Sequence, residues 1–167
     1  IIFECDPRLV PCFSRTYPEI EIISHDADGR SPKHDVIAGL GDLPGFFRPT
    51  IDDFKPFKGR KIIADPALLQ HWKDAFSALG KGPKIGIAWR GGAEKISISK
   101  RSFDLKTLMP VLQIPNCHFI NIQYGASADE IKNLQRDHGI IVHNWPEVDP
   151  LHELENHIAQ IDALDLI

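Results

Sequence analysis

The sequence has few cysteines and no long apolar run, which argues against a disulfide-rich protein and against a protein with membrane-spanning helices. Its three cysteines, Cys5, Cys12 and Cys117, are odd in number and show no CxxC spacing, which predicts reduced thiols. The longest apolar runs, such as residues 85–89, are far too short to span a bilayer. No charged and then apolar leader opens the chain, so secretion is not indicated. We therefore expect a cytoplasmic protein without a membrane span.

The chain also lacks an excess of basic residues, because its formal net charge is −4 over 167 residues. This balance offers no electrostatic case for binding nucleic acid. The length suits one medium domain or two small half-domains. Met109 is the only methionine, the chain opens on the apolar residues 1–3, and residues 164–167 have the pattern of a strand that is just beginning. These features predict a segment of a longer chain.

Short apolar runs alternate with helical periodicity from end to end, which predicts an α/β fold. Strands are expected at residues 1–4, 20–23, 36–40, 84–89, 118–124 and 140–143. Helices are expected at residues 8–17, from Asp65-Pro66 to Gly80, at 105–112 with a break at Pro110, from a capping box at 127–130 to Gly139, and from Asp149-Pro150 onward. Single helices between strands imply parallel pairing through right-handed crossovers.

The loop after the predicted strand 84–89 is the first candidate for a binding site, since ligands of open parallel sheets lie outside the carboxyl ends of the strands. Residues 84–106 hold six Lys or Arg against two Asp or Glu, whereas residues 107–167 hold two against nine. The pair Gly91-Gly92 lets the backbone approach an anion closely. This pattern predicts a diphosphate site surrounded by Arg90, Lys95, Lys100 and Arg101. A solvated basic loop stays open as an alternative, because neither the dinucleotide fingerprint nor the P-loop pattern is complete.

Aromatic residues and histidines are the remaining candidates for chemistry. Tyr124 and Trp145 each follow a predicted strand, where an aromatic ring either flanks a flat base or packs at the rim of the core. His152 and His157 are five residues apart, about 140° around a helix, so they cannot share a metal ion. No GxSxG elbow occurs, which argues against Ser–His–Asp chemistry. The residues therefore predict neither a metal site nor a hydrolase triad.

Several segments in this order resemble the glycosyltransferase region of bacterial tetratricopeptide-repeat proteins. They are residues 84–92 (KIGIAWRGG), 100–102, 119–125 and 161–167. Those proteins are similar to the O-linked N-acetylglucosamine transferases and, more distantly, to the ADP-heptose heptosyltransferases. Residues 41–50 and 64–68 follow the expected order as well, so the resemblance covers nearly the whole chain.

The resemblance implies a GT-B architecture, in which two Rossmann-like domains face each other across a cleft. Residues 1–81 resemble the latter part of the N-terminal, acceptor-side domain, and residues 83–167 resemble the first half of the donor-binding domain. A basic residue matching Lys100 or Arg101 is expected to hold the donor diphosphate. The loop Asn144-Trp145-Pro146 and the position of His157 are expected near the nucleotide base.

The function implied is transfer of a sugar from a nucleotide-sugar donor to a protein or glycan acceptor, without a metal or cofactor. Fixed positive groups and a helix N-terminus can neutralise the leaving diphosphate. The expected donor-binding set is Arg90, Gly91, Gly92, Lys95, Lys100, Arg101, Tyr124, Trp145 and His157, and the catalytic base is not identified. The small-residue turn that grips the sugar-phosphate in relatives does not occur here, so the isolated chain is expected to bind a donor without transferring sugar. The alternative is a non-catalytic α/β interaction module attached to tetratricopeptide repeats.

Overall fold

The structure is a computed structural model that describes residues 1–25, 32–54, 59, 61–91, 102–125, 127–149 and 151–167. The chain divides into two compact units, Ile1–Ile63 and Ala64–Ile167. Both units contain parallel strands and helices, which confirms the α/β class expected from the sequence.

The first unit contains a two-stranded parallel sheet. Strand β1 (Ile2–Cys5) pairs with strand β2 (Glu21–Ser24), and Ile2 lies opposite Glu21. Helix α1 (Val10–Thr16) connects them and is preceded by a 3-10 turn at Pro7–Leu9. This strand–helix–strand unit confirms the prediction for residues 1–23.

The expected strand at residues 36–40 is wrong. Val36 and Ile37 are exposed and belong to no strand, and a 3-10 turn begins at Leu40 (Leu40–Asp42). A short apolar run does not identify a strand by itself, because periodicity cannot separate it from irregular structure. Helix α2 (Leu43–Phe47) follows, and then a 3-10 turn at Ile51–Asp53.

The second unit alternates helices and strands as the sequence predicts. The elements are α3 (Pro66–Ser77), β3 (Lys84–Ile87), a 3-10 turn (Leu105–Leu108), α4 (Met109–Leu112), β4 (His118–Asn121), α5 (Ala128–His138), β5 (Val142–His143) and α6 (Leu154–Asp162). The helical break expected at Pro110 takes the form of the 3-10 turn that passes into α4. None of the helices in the described ranges is long and apolar enough to cross a membrane.

The three strands of the second unit form a parallel sheet in the order β3-β4-β5. Leu166 makes a parallel bridge to Ile85 on the other edge of β3, and its carbonyl oxygen accepts a 2.8 Å hydrogen bond from the Gly86 N–H. The end of the chain therefore lies beside β3 and makes a single bridge to it. The strand order changes direction at β3, because β4 lies on one side of it and Leu166 on the other.

Helices cover both faces of this sheet. On one face, Leu105, Leu112, Ile131 and Leu134 pack with strand residues that include Phe119. On the other face, Trp72 and Phe76 of α3 and Ala159 of α6 pack with Ile120. Neighbouring residues of β4 thus serve opposite cores, as the two-residue period of a strand requires.

One predicted helix cap and one predicted helix start need correction. Helix α5 begins after Ser127 as expected, but the Ser127 side chain makes no capping hydrogen bond, and its Oγ accepts from Asn121 Nδ2. Helix α6 begins at Leu154 and not at Asp149, whose carboxylate accepts from the Leu151 N–H and contacts the His152 ring in a turn.

The boundary between the compact units lies between Ile63 and Ala64, so α3 belongs to the same unit as α6. The expected division near residue 82 was drawn from the resemblance and concerns domains of a larger architecture. That division stays a prediction.

Candidate functional site

A cavity of about 340 Å³ opens at the carboxyl ends of β4 and β5. Residues from the loops after both strands and from the start of α5 line most of it. The lining residues are Asn121, Ile122, Gln123, Gly125, Ser127, Ala128, Asn144, Trp145, Pro146, Val148, Asp149, Leu151 and Gln160. Its size lies within the range of small-molecule sites, and its position matches the edge where open parallel sheets bind ligands.

Trp145 forms an aromatic wall of this cavity. Its ring meets Trp72 edge-on, with 5.4 Å between ring centroids, and lies 5.6 Å from Phe76. The two interpretations of Trp145 from the sequence are therefore compatible, since it packs against the α3 core and also lines the cavity. Its neighbours in the chain, Asn144 and Pro146, line the cavity too.

Buried amide side chains at the end of β4 connect the surrounding loops. Asn121 Nδ2 donates to Asn144 Oδ1 at 2.7 Å and to Ser127 Oγ at 3.1 Å. Asn121 Oδ1 accepts from the Gln123 N–H at 2.9 Å, and Gln123 Nε2 donates to the Tyr124 carbonyl at 2.9 Å. These bonds hold the loops after β4 and β5 together with the start of α5.

The loop after β3 is attached to the same amide network. Gln123 Oε1 accepts from the N–H groups of Trp89 and Arg90, at 2.9 and 2.7 Å. The next N–H, of Gly91, donates to Ser102 Oγ at 3.2 Å. Three successive amides are thus occupied by side chains of the chain itself, and one of them, of Gly91, belongs to the glycine pair that the sequence suggested for anion binding.

Arg90 also has a carboxylate partner. Its Nη1 lies 2.7 Å from Glu130 Oε1, and the other oxygen of Glu130 accepts from Trp89 Nε1 at 2.7 Å. The Arg90 guanidinium stacks beside the Trp89 ring, 5.8 Å from its centroid. Glu130 therefore offsets one of the positive charges counted in the basic loop.

The remaining residues of the predicted diphosphate site, Gly92, Lys95, Lys100 and Arg101, lie outside the described residues. Their grouping around an anion stays a prediction. Tyr124, also a candidate, has a 36% exposed side chain and is not among the residues that line the cavity.

His157 lies on α6, one turn before Gln160. Its Nδ1 is buried and has no hydrogen-bond partner in the described part of the chain. Burial lowers the pKa of His157, and a side-chain hydrogen bond with Gln160 opposes that change. Gln160, 2% exposed, reaches the cavity, whereas His157 is not among its lining residues.

The sequence reasoning missed Asn121, Gln123, Ser127 and Gln160 as components of this site. A signal for two of them was present. Asn121 is the last residue of β4 and Gln123 lies two residues beyond it, both in an otherwise apolar run, and both are less than a tenth exposed. Buried polar side chains at the carboxyl edge of a sheet are typical of a binding site.

The chain is 30% identical over 173 residues to Protein FlbA of Caulobacter vibrioides. The match covers 96% of this chain and 29% of FlbA, so the chain spans less than a third of that relative's length. No protein-family model matches the chain, and no solved structure matches it either.

Proposed function

We propose that this chain is a segment of a GT-B glycosyltransferase and that it binds a nucleotide-sugar donor for transfer without a metal ion. The cavity would take the nucleoside, and the loop after β3 would take the diphosphate. In this proposal the full-length glycosyltransferase also binds a protein or glycan acceptor and supplies the catalytic base. The observation that carries the proposal is the placement of Trp145 and four amide side chains around one cavity at the carboxyl edge of a parallel sheet.

The chemistry of the lining suits a nucleoside. A flat base can stack on an indole ring, and such contacts contribute about 1–3 kcal/mol each. Amide side chains such as Asn144 and Gln160 both donate and accept, so they can pair with the edge of a base. The change of strand direction at β3 supports a diphosphate at the loop after β3, because doubly wound sheets bind nucleotides near such a point.

The charge distribution supports a diphosphate beside the cavity. Of the six basic residues within 84–106, Lys84 belongs to β3 and Lys106 to the 3-10 turn, and the other four lie in the loop that Gln123 ties to the cavity wall. Positive side chains at fixed positions can stabilise a leaving diphosphate without a metal ion.

Calorimetric titration with UDP, GDP and ADP tests the proposal. We expect one of them to bind with a dissociation constant on the order of 0.1–1 mM. Trp145→Leu should weaken that binding about tenfold, because it removes the stacking surface. Val111→Ala, which truncates an exposed residue of α4, is the control and should bind as the wild-type chain does.

Near-ultraviolet circular dichroism would check that Trp145→Leu keeps its core, since Trp145 packs against Trp72 and Phe76. Absence of binding by all three nucleotides would contradict the proposed function. That result would favour the non-catalytic interaction module.

A further inference from the structure

Gln123 stands at the junction between the cavity and the loop after β3. Its side chain is 5% exposed and uses both ends of its amide. The oxygen accepts two successive backbone N–H groups, of Trp89 and Arg90, and the nitrogen donates to the Tyr124 carbonyl. One side chain therefore fixes the backbone segment that follows β3 and the backbone segment that follows β4.

The same amide belongs to a network that borders the cavity. The Gln123 N–H donates to Asn121 Oδ1, and Asn121 reaches Asn144 across the carboxyl edge of the sheet. Asn121, Gln123 and Asn144 all line the cavity. A ligand in the cavity would touch the same side chains that hold the backbone of Arg90.

A buried amide serves this purpose better than an apolar side chain of similar size. Two converging N–H groups need an acceptor with two lone pairs, and an unpaired buried N–H is unfavourable. Methionine at residue 123 would fill the volume but would leave both N–H groups without that acceptor. Glutamate would restore the acceptor for both.

We propose that Gln123 is a positioning residue, which couples a nucleoside in the cavity to the placement of the Trp89–Arg90 backbone beside the diphosphate. The inference rests on the proposed function. It places the nucleoside of one ligand in the cavity and the diphosphate of the same ligand beside the Trp89–Arg90 backbone. Gln123 acts through the Trp89–Arg90 backbone and needs no contact with the reacting atoms.

The experiment compares a nucleoside diphosphate with its own nucleoside, using whichever of UDP, GDP and ADP binds the wild-type chain. The wild-type chain should bind the diphosphate about tenfold more tightly than the nucleoside, a ratio typical of a few screened charge contacts. Gln123→Met should reduce that ratio to about twofold, because the Trp89–Arg90 backbone loses its acceptor and its fixed position. A loss of stability alone would weaken both ligands equally and leave the ratio unchanged.

Two further variants make the comparison specific. Gln123→Glu restores the acceptor for both N–H groups and should keep the Trp89–Arg90 backbone in place, while its negative charge opposes the diphosphate and keeps the ratio below that of the wild-type chain. Gln113→Met makes the same chemical change at an exposed residue after α4 and should leave the ratio as in the wild-type chain. Hydrogen exchange should show faster exchange of the Trp89 and Arg90 amides in Gln123→Met and protected amides in Gln123→Glu.

The two proposals fail in different ways. A wild-type chain that binds none of the nucleotides overturns the proposed function and the positioning role together. A wild-type chain that binds, with an unchanged ratio in Gln123→Met, overturns the positioning role alone. Amides of Trp89 and Arg90 that stay protected in Gln123→Met would overturn it as well, because the loop would then not depend on Gln123.

Discussion

Gly86 in the first strand of the second unit leaves the space that the Leu164 side chain occupies. A Cβ atom at residue 86 would lie 2.5 Å from Leu164 Cδ1 and 3.1 Å from Ile122 Cδ1. A backbone hydrogen bond lies next to this contact, because the Gly86 N–H donates to the Leu166 carbonyl. The absence of a side chain at residue 86 thus lets the end of the chain lie against β3.

Gly86→Ala should destabilise the second unit by about 1–3 kcal/mol, because the added methyl group overpacks the contact with Leu164. Urea unfolding monitored by tryptophan fluorescence would measure the loss. Gly41→Ala is a suitable control, since a Cβ at residue 41 meets no atom within 4 Å in the described structure. Leu164→Val in the Gly86→Ala background should recover part of the stability, and a Gly86→Ala variant as stable as the wild-type chain would contradict the packing argument.

Glu130 should contribute to stability through both of its oxygens. Glu130→Ala removes a carboxylate partner of Arg90 and the acceptor of the Trp89 indole N–H. Trp89 is only 1% exposed. We expect a loss of about 2 kcal/mol, most of it from the unpaired indole N–H. Glu130→Gln keeps an oxygen for Trp89 and should lose about 1 kcal/mol or less. Equal losses in the two variants, measured by urea unfolding, would show that the indole bond contributes nothing.

Stability should decrease as the pH falls from 7.5 to 5.5. Burial lowers the pKa of His143 below its ordinary 6.5, with nearby His118 and Lys84 acting in the same direction, and burial also lowers the pKa of His157. The unfolded chain therefore takes up more protons than the folded chain in this window, and stability rises with pH wherever that holds. Urea midpoints at several pH values would measure the slope. His143→Gln and His157→Gln should each flatten it, and a slope of the opposite sign would exclude these histidines as its cause.

Local signals were enough to predict much of the second unit. Asp65 caps α3 as expected, since its carboxylate accepts from the N–H groups of Ala67 and Leu68. The helical spacing in that segment identified Trp72 and Phe76, which are both buried. Gly139 adopts a positive φ of 68° at the end of α5, as its place after a helix predicts.

Features that depend on contacts between distant residues could not be predicted from the sequence. Gln123 bonds to residues 33 and 34 positions earlier, and that pairing depends on the register between β3 and β4. Ser127 has the sequence of a cap, yet Asn121 occupies its oxygen. The Asn121 donor is only six residues earlier, but it belongs to β4, so the pattern of the helix start alone does not reveal it.

The basic loop should determine how strongly binding depends on salt. Arg101 lies outside the described residues, and its role is predicted from the charge excess of residues 84–106 and from the resemblance. Arg101→Ala should weaken binding of the nucleoside diphosphate about fivefold and leave the nucleoside unaffected, because only the diphosphate is charged. Raising the salt concentration should weaken the wild-type complex more than the variant complex. Arg136→Ala is the matched control, since Arg136 is an exposed residue of α5 paired with Asp137. Equal losses in Arg101→Ala and Arg136→Ala would indicate a general charge effect and remove Arg101 from the site.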